Sequence, residues 1–144
     1  MKKLIFTLLI LFTISSLHAQ ILNPVIFNYS VVKKGNTLYE VHIKASIQLN
    51  WHIYSVTNPD GGAQATEIKI NDAKPVGAVK ENGKLKTVFE SEFKVNQKYF
   101  ENSVDFVQLV KLKDGKKISG TISYMVCNDR QCLPPKEVEF KIKM

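Results

Sequence analysis

Two cysteines in 144 residues cannot build the dense cross-linking of a small secreted toxin-like scaffold, so the fold has to rest on a packed core. Seven glycines and five prolines are too few for a collagenous or linker-dominated chain. Beyond residue 20 no apolar run is long enough to span a bilayer as a helix. No stretch repeats, and none carries a sustained 3.6-residue apolar period. A Gly-x-Ser-x-Gly element is missing, as is any glycine-rich loop of the kind that cradles phosphate, so serine hydrolysis and nucleotide chemistry have no support. The formal charge is +7, yet the basic residues come no more than two in a row, as in Lys33-Lys34 and Lys116-Lys117. Scattered charge of this kind favours solubility and encounters with acidic partners, not a nucleic-acid face. What remains is 44% hydrophobic and 23% charged, the balance of one globular domain.

The first twenty residues differ from the rest. Met1-Lys2-Lys3 is followed by an uncharged apolar run from Leu4 to Ile14 and then by Ser15-Ser16-Leu17-His18-Ala19-Gln20. A positive start, a short apolar centre and small residues near Ala19 predict a secretory signal peptide over residues 1–19, with one domain over residues 20–144. No cysteine follows the apolar run, which excludes a lipid anchor on an N-terminal cysteine.

Past that point the pattern has period two. Between Leu38 and Leu49 the odd positions (Tyr39, Val41, Ile43, Ala45, Ile47, Leu49) are mostly apolar and the even ones (Glu40, His42, Lys44, Ser46, Gln48) polar. That is a half-buried strand. The pattern returns at Ile118, Ile122, Tyr124 and Val126, and again at Val138, Phe140 and Ile142. Further strands are expected at Val25 to Val32, Trp51 to Ser55, Thr66 to Ile70, Val88 to Val95 and Val104 to Leu112. Turn chemistry separates them at Lys34-Gly35-Asn36, Asn58-Pro59-Asp60-Gly61-Gly62, Glu81-Asn82-Gly83-Lys84 and Lys113-Asp114-Gly115-Lys116. About eight short strands predict an all-β antiparallel sandwich, with a small closed barrel as the competing fold.

In an exported chain Cys127 and Cys132 are expected to form a disulfide. They bracket the bend of a predicted hairpin, Lys117 to Cys127 leading in and Lys136 onward leading out. A four-residue spacer can bring their Cα atoms within the ~4.4–6.8 Å that the bond needs. Alternation would put Cys127 on the polar face with Ser119, Thr121 and Ser123. As a brace the bond is weak. Closing so short a loop removes about 2.2 kcal/mol of unfolded-state entropy, against roughly 4.7 for a hundred-residue loop. A redox role and a structural one both remain open on this ground. Zinc would need His42 and His52 to complete the set from separate strands, at a cysteine spacing on the edge of the usual range. No metal or other cofactor is therefore expected beyond the disulfide itself.

The stretch Tyr124 to Pro135, two cysteines followed by Leu-Pro-Pro, resembles the redox motif of the N-terminal periplasmic domain of the thiol:disulfide interchange protein DsbD. Trp51-His52-Ile53-Tyr54-Ser55 resembles that family's aromatic strand, Glu92-Phe93 with Phe100 its cap segment, and Val104 to Val110 the strand that follows. The resemblance implies an immunoglobulin-like sandwich in the periplasm, relaying reducing equivalents between thioredoxin-like donor and acceptor proteins. By the same resemblance Cys132 forms the mixed disulfides and Cys127 resolves them. Phe93 shields the sulfurs, Glu92 influences thiol protonation, and His52 and Tyr54 lie beside the pair. Arg130 or Lys136 is expected to favour the thiolate. The spacer is one residue shorter than in the best-known members, Ser91 replaces a frequent acid, and Lys94-Val95 replace an aromatic-Gly pair. With the chain ending at Met144, the resemblance implies that a separate membrane reductase and a separate thioredoxin-like protein supply the electrons. The competing reading is a non-redox secreted binding module whose disulfide only fixes a hairpin.

Overall fold

The computed structural model describes residues 22–91, 94–112 and 117–144. The predicted signal peptide, the cap pair Glu92 and Phe93, and the predicted turn at 113–116 lie outside the described residues. Among the described residues there are nine strands: β1 (Val25–Lys33), β2 (Leu38–Ile47), β3 (His52–Tyr54), β4 (Glu67–Ile70), β5 (Lys74–Glu90), β6 (Val95–Lys111), β7 (Lys117–Tyr124), β8 (Val126–Cys127) and β9 (Lys136–Lys143).

Two antiparallel sheets form the immunoglobulin-like sandwich that the alternation and the resemblance predict, not a closed barrel. The larger runs β1-β2-β6-β3-β8, with β5 on the far side of β6; the smaller runs β4-β7-β9. The 17 residues of β6 serve as its spine. One half pairs with β2 (Ile43 opposite Phe106) and the other with β3 (Ile53 opposite Phe100), while β5 follows its whole length on the other side. Ile43, Ile53, Phe100, Phe106, Ile118 and Ile122 are fully buried in one core cluster that draws on both sheets. Ile118, Gly120, Ile122 and Tyr124 point inward as alternation requires.

Three local expectations are corrected. Glu81-Asn82-Gly83-Lys84 is no turn: it lies inside β5, where the register against β6 shifts between Val76 and Lys80 and again between Gly83 and Leu85. These irregularities accommodate turn-type residues without ending the strand, and with Lys74, Lys80, Lys84 and Lys86 they guard an edge against stray pairing. The strand expected over Val88 to Val95 instead spans the end of β5, the turn and the start of β6. Leu49 falls beyond β2, in a turn with Asn50 at φ 67°, and is exposed.

Glu81 has a definite task in the strand interior. Its carboxylate accepts from Ser55 Oγ at 2.7 Å and from the Val56 amide at 2.8 Å, fixing the chain as it leaves β3. Glu81→Ala leaves both donors without this partner, and a loss of about 2 kcal/mol is expected. The shift of the urea midpoint at unchanged m-value measures it.

Candidate functional site

β7 runs inward from Lys117 and pairs with β9, Tyr124 opposite Lys136, so the predicted hairpin is present. Its bend is not a simple turn. At Met125 the chain leaves the small sheet, and Val126–Cys127 joins the edge of the large one beside β3. Alternation therefore fails here: Val126 and Cys127 are 3% and 2% exposed, both buried. The predicted polar-face position of Cys127 is wrong, because the strand changes sheets before reaching it.

Cys127 and Cys132 are joined by a disulfide, with Cα atoms 4.0 Å apart, slightly closer than expected from sequence. The two sulfur-bearing residues are unlike. Cys127 is buried and Cys132 is exposed. The loop between them is held by Asn128, whose Oδ1 accepts from the amides of Arg130 and Gln131, both at 2.9 Å. Its own amide donates to the Gln131 carbonyl at 2.9 Å, and the Leu133 amide returns to the Val126 carbonyl at 2.9 Å. An Asn in this position supplies a side-chain mimic of a backbone turn.

The disulfide borders a cleft of about 510 Å³. β3 and β6 supply its aromatic wall of His52, Tyr54 and Tyr99, and the end of β5 supplies Val88 and Glu90. His52 is in register with Cys127 across the β3–β8 pair and with Glu101 across the β3–β6 pair. Directly opposed residues on paired strands share a face, with Cβ atoms about 4.5–5.5 Å apart. The His52 ring lies 4.3 Å from the Tyr99 ring between centroids, and its Nε2 is 3.1 Å from Tyr54 Oη. Burial pushes the His52 imidazole below its ordinary value, against the pull of Glu101 and Asp129, while Lys86 adds to the lowering. Burial pushes the Tyr54 hydroxyl up to about 12, helped by Glu90 and Tyr99, so it stays protonated across the ordinary pH range.

Sequence reasoning thus brings Cys127, Cys132, His52 and Tyr54 together, and the structure joins them in one cleft. Arg130 lines it too, but Lys136 does not: it lies in a separate apolar groove with Leu133, Pro134 and Pro135, where its Nζ donates to Asn23 Oδ1 at 3.1 Å. Glu92 and Phe93 lie outside the described residues; the strand ends on either side of them, Glu90 and Val95, belong to β5 and β6. Sequence reasoning missed Tyr99, which alternation could place on either face, and Gln97, which lines the cleft and is held by Asn58. Asn58 Nδ2 donates to the Gln97 Oε1 at 2.7 Å, and Asn58 Oδ1 accepts from the Lys98 amide at 2.7 Å. This ties down the Asn58–Gly62 segment, in which Asp60 and Gly61 form the expected turn. Gly62 lies so near the Gln97 amide that a Cβ there would overlap it. Among the described residues no cluster of three or more His, Cys, Asp or Glu side chains could hold a metal ion.

A search of curated protein sequences finds no match. Solved structures do match in fold. The N-terminal periplasmic domain of ScsB from Proteus mirabilis aligns with a TM-score of 0.65 at 13% identity over 85% of this chain, which spans about half (47%) of that one. The reduced DsbD N-terminal domain of Neisseria meningitidis aligns at 0.62 and 19% identity, over 86% of this chain and 90% of that one. A complex between the DsbD and PilB N-terminal domains of Neisseria meningitidis aligns at 0.57 and 15%, over 85% of this chain and 87% of the matched one. At these identities the likeness concerns the fold. The sequence itself matches the family profile described as thiol:disulfide interchange protein DsbD, N-terminal, over residues 19–143, and the chain belongs to that family.

Proposed function

We propose that the chain is a periplasmic thiol–disulfide exchange module that relays reducing equivalents between thioredoxin-like partners through Cys127 and Cys132. The observation that carries this is the inequality of the pair: one sulfur-bearing residue exposed at the mouth of a cleft, the other buried behind it. Exchange requires a partner's thiolate to reach one sulfur in line with the bond, while the other sulfur leaves. Cys132 is the sulfur a partner attacks and Cys127 the one that leaves and later resolves. The cleft gives an incoming side chain room beside them, and Arg130 adds positive charge at its border. A brace would gain more from joining distant parts of the fold than from closing this short loop.

The cap belongs to the same reading. Phe93 covers the pair between encounters and Glu92 tunes its protonation, which the position of Val88 and Glu90 along the cleft supports. Tyr54 and His52 form the wall a partner's loop meets. In this reading the donor and the acceptor are thioredoxin-like domains, and a membrane reductase is the upstream source of electrons. Residues 1–19 are the export signal that delivers it to the periplasm. Among the described residues no helix is long and apolar enough to cross a membrane.

The test is the reduction potential of the pair in the chain, together with its exchange with a thioredoxin-like protein. A potential between about −270 and −180 mV, with rapid exchange, is the expected result. A value well below about −300 mV with no exchange marks a structural bond and removes the proposal.

A further inference from the structure

We infer that His52 is the proton acceptor for Cys127 when Cys127 resolves a mixed disulfide. The inference rests on the exchange reading above. His52 stands opposite Cys127 in the β3–β8 register, and both residues line the same cleft. Cys127 is 2% exposed, so bulk water is a poor recipient for its proton. The imidazole is fixed by its neighbours, its ring against Tyr99 and its Nε2 on Tyr54 Oη. In the tautomer whose Nε2–H donates to Tyr54 Oη, Nδ1 carries the lone pair that accepts the proton.

Cys132 holds the partner's sulfur in a mixed disulfide. The Cys127 thiol gives its proton to His52 as its sulfur attacks Cys132 Sγ. The Cys127–Cys132 bond forms, the bond from Cys132 to the partner breaks, and its electron pair leaves with the partner's sulfur as a thiolate. The imidazolium then passes its proton to that thiolate or to solvent. The cysteine pair is oxidised by two electrons and the partner's disulfide is reduced. In the opposite direction His52 returns the proton to Cys127 as Cys127 leaves.

The surrounding charges suit this. Glu101 on β6 faces His52 and is itself paired with Lys86 on β5 at 2.6 Å. Asp129 and Arg130 come from the cysteine loop, and Glu90 from the end of β5. Tyr54 and Tyr99 remain neutral, each hydroxyl raised above its ordinary value by burial first. Burial also keeps the imidazole neutral at pH 7, as a proton acceptor must be.

The experiment uses the reduced chain and 5,5′-dithiobis(2-nitrobenzoate) as the probe disulfide. Attack by the first thiol releases one coloured thiolate, and resolution by the second releases another, so the two phases separate in time. In the wild type the second phase is expected to level off at a pH below the ordinary imidazole value, because burial lowers the His52 titration. In His52→Phe, which keeps a ring against Tyr99 but accepts no proton, it should depend on the thiolate alone and rise until about pH 8.5. At pH 6.5 the variant should be about tenfold slower or more, since an ordinary thiol is only about 1% ionised there. At pH 9.5 the two should converge, and His52→Gln should behave like His52→Phe. A variant profile that overlays the wild type overturns the inference. So does an equal slowing at every pH, which marks a structural role. If the wild type releases no second thiolate at all, the exchange reading falls and takes this step with it.

Discussion

Cys127→Ala is expected to accumulate a stable mixed disulfide through Cys132, and Cys132→Ala to accumulate none. Cys132 is exposed on the loop that follows Asn128, whereas Cys127 is 2% exposed at the sheet edge beneath that loop. A partner's disulfide can reach the first and not the second. Once the bond to Cys132 has formed, release depends on Cys127, which the disulfide in this structure shows to be within bonding distance. Removing Cys127 therefore stops the reaction halfway. The measurement uses a thioredoxin-like protein that retains one active-site cysteine, activated as its 2-nitro-5-thiobenzoate disulfide. On non-reducing gels the wild type should form the complex only transiently, Cys127→Ala should hold it, and Cys132→Ala should show none. Alkylation gives a second readout. The lone thiol at 132 should react with iodoacetamide on the order of ten times faster than the lone thiol at 127, following exposure and thiolate access. The reverse order would transfer the attacking role to Cys127 and contradict the assignment.

How much of this could be read beforehand depends on whether the responsible forces are local. The alternation of Val41, Ile43, Ala45 and Ile47 reports one buried face, and β2 ends at Ile47. The hairpin of β7 and β9 was legible for the same reason, as was the disulfide, from compartment and spacing alone. β5 was not. Its residues Glu81-Asn82-Gly83-Lys84 read as a turn, with a strand expected only from Val88, because propensity does not reveal that β6 supplies a partner along the whole length. The burial of Cys127 was not legible either. It arises because Met125 carries the chain between sheets, which no period-two pattern encodes. Tyr99 enters the site only through its pairing with Tyr54 across β3 and β6, a contact 45 residues apart in the chain. The candidate site was thus legible where it is one contiguous motif and hidden where other strands complete it.

That dependence of the site on the second sheet leads to the other large expected effect, at a residue far from the sulfurs. β7 is the central strand of the small sheet, and it carries the chain to the crossing at Met125. At Gly120, in its middle, a Cβ would lie 2.2 Å from the Lys69 carbonyl oxygen on β4 and 2.7 Å from the Phe140 ring on β9. The first obstacle is backbone and cannot rotate away. Gly120→Ala therefore has to push β4 or β9 off its partner, and the expected loss is about 3 kcal/mol, the upper part of the range for overpacking. For a domain of this size that lowers the melting temperature on the order of 10 °C. Two other glycines serve as controls. Gly35→Ala meets only Leu38 Cβ at 3.7 Å and should leave stability nearly unchanged. Gly77 sits at φ +70° in open space, so Gly77→Ala should cost about 1 kcal/mol from the backbone alone. Calorimetry on the three variants should find the largest loss at Gly120, a smaller one at Gly77 and the least at Gly35. The Gly120 variant should also expose Cys127: with β7 displaced, the chain no longer enters the large sheet at Val126, and the resolving sulfur leaves its place opposite His52. After reduction its alkylation rate should approach that of Cys132, whereas in the Gly35 and Gly77 variants the difference between the two thiols should persist. A Gly120→Ala protein as stable as the wild type would mean that the small sheet yields easily, and that the position of Cys127 is set by β3 alone.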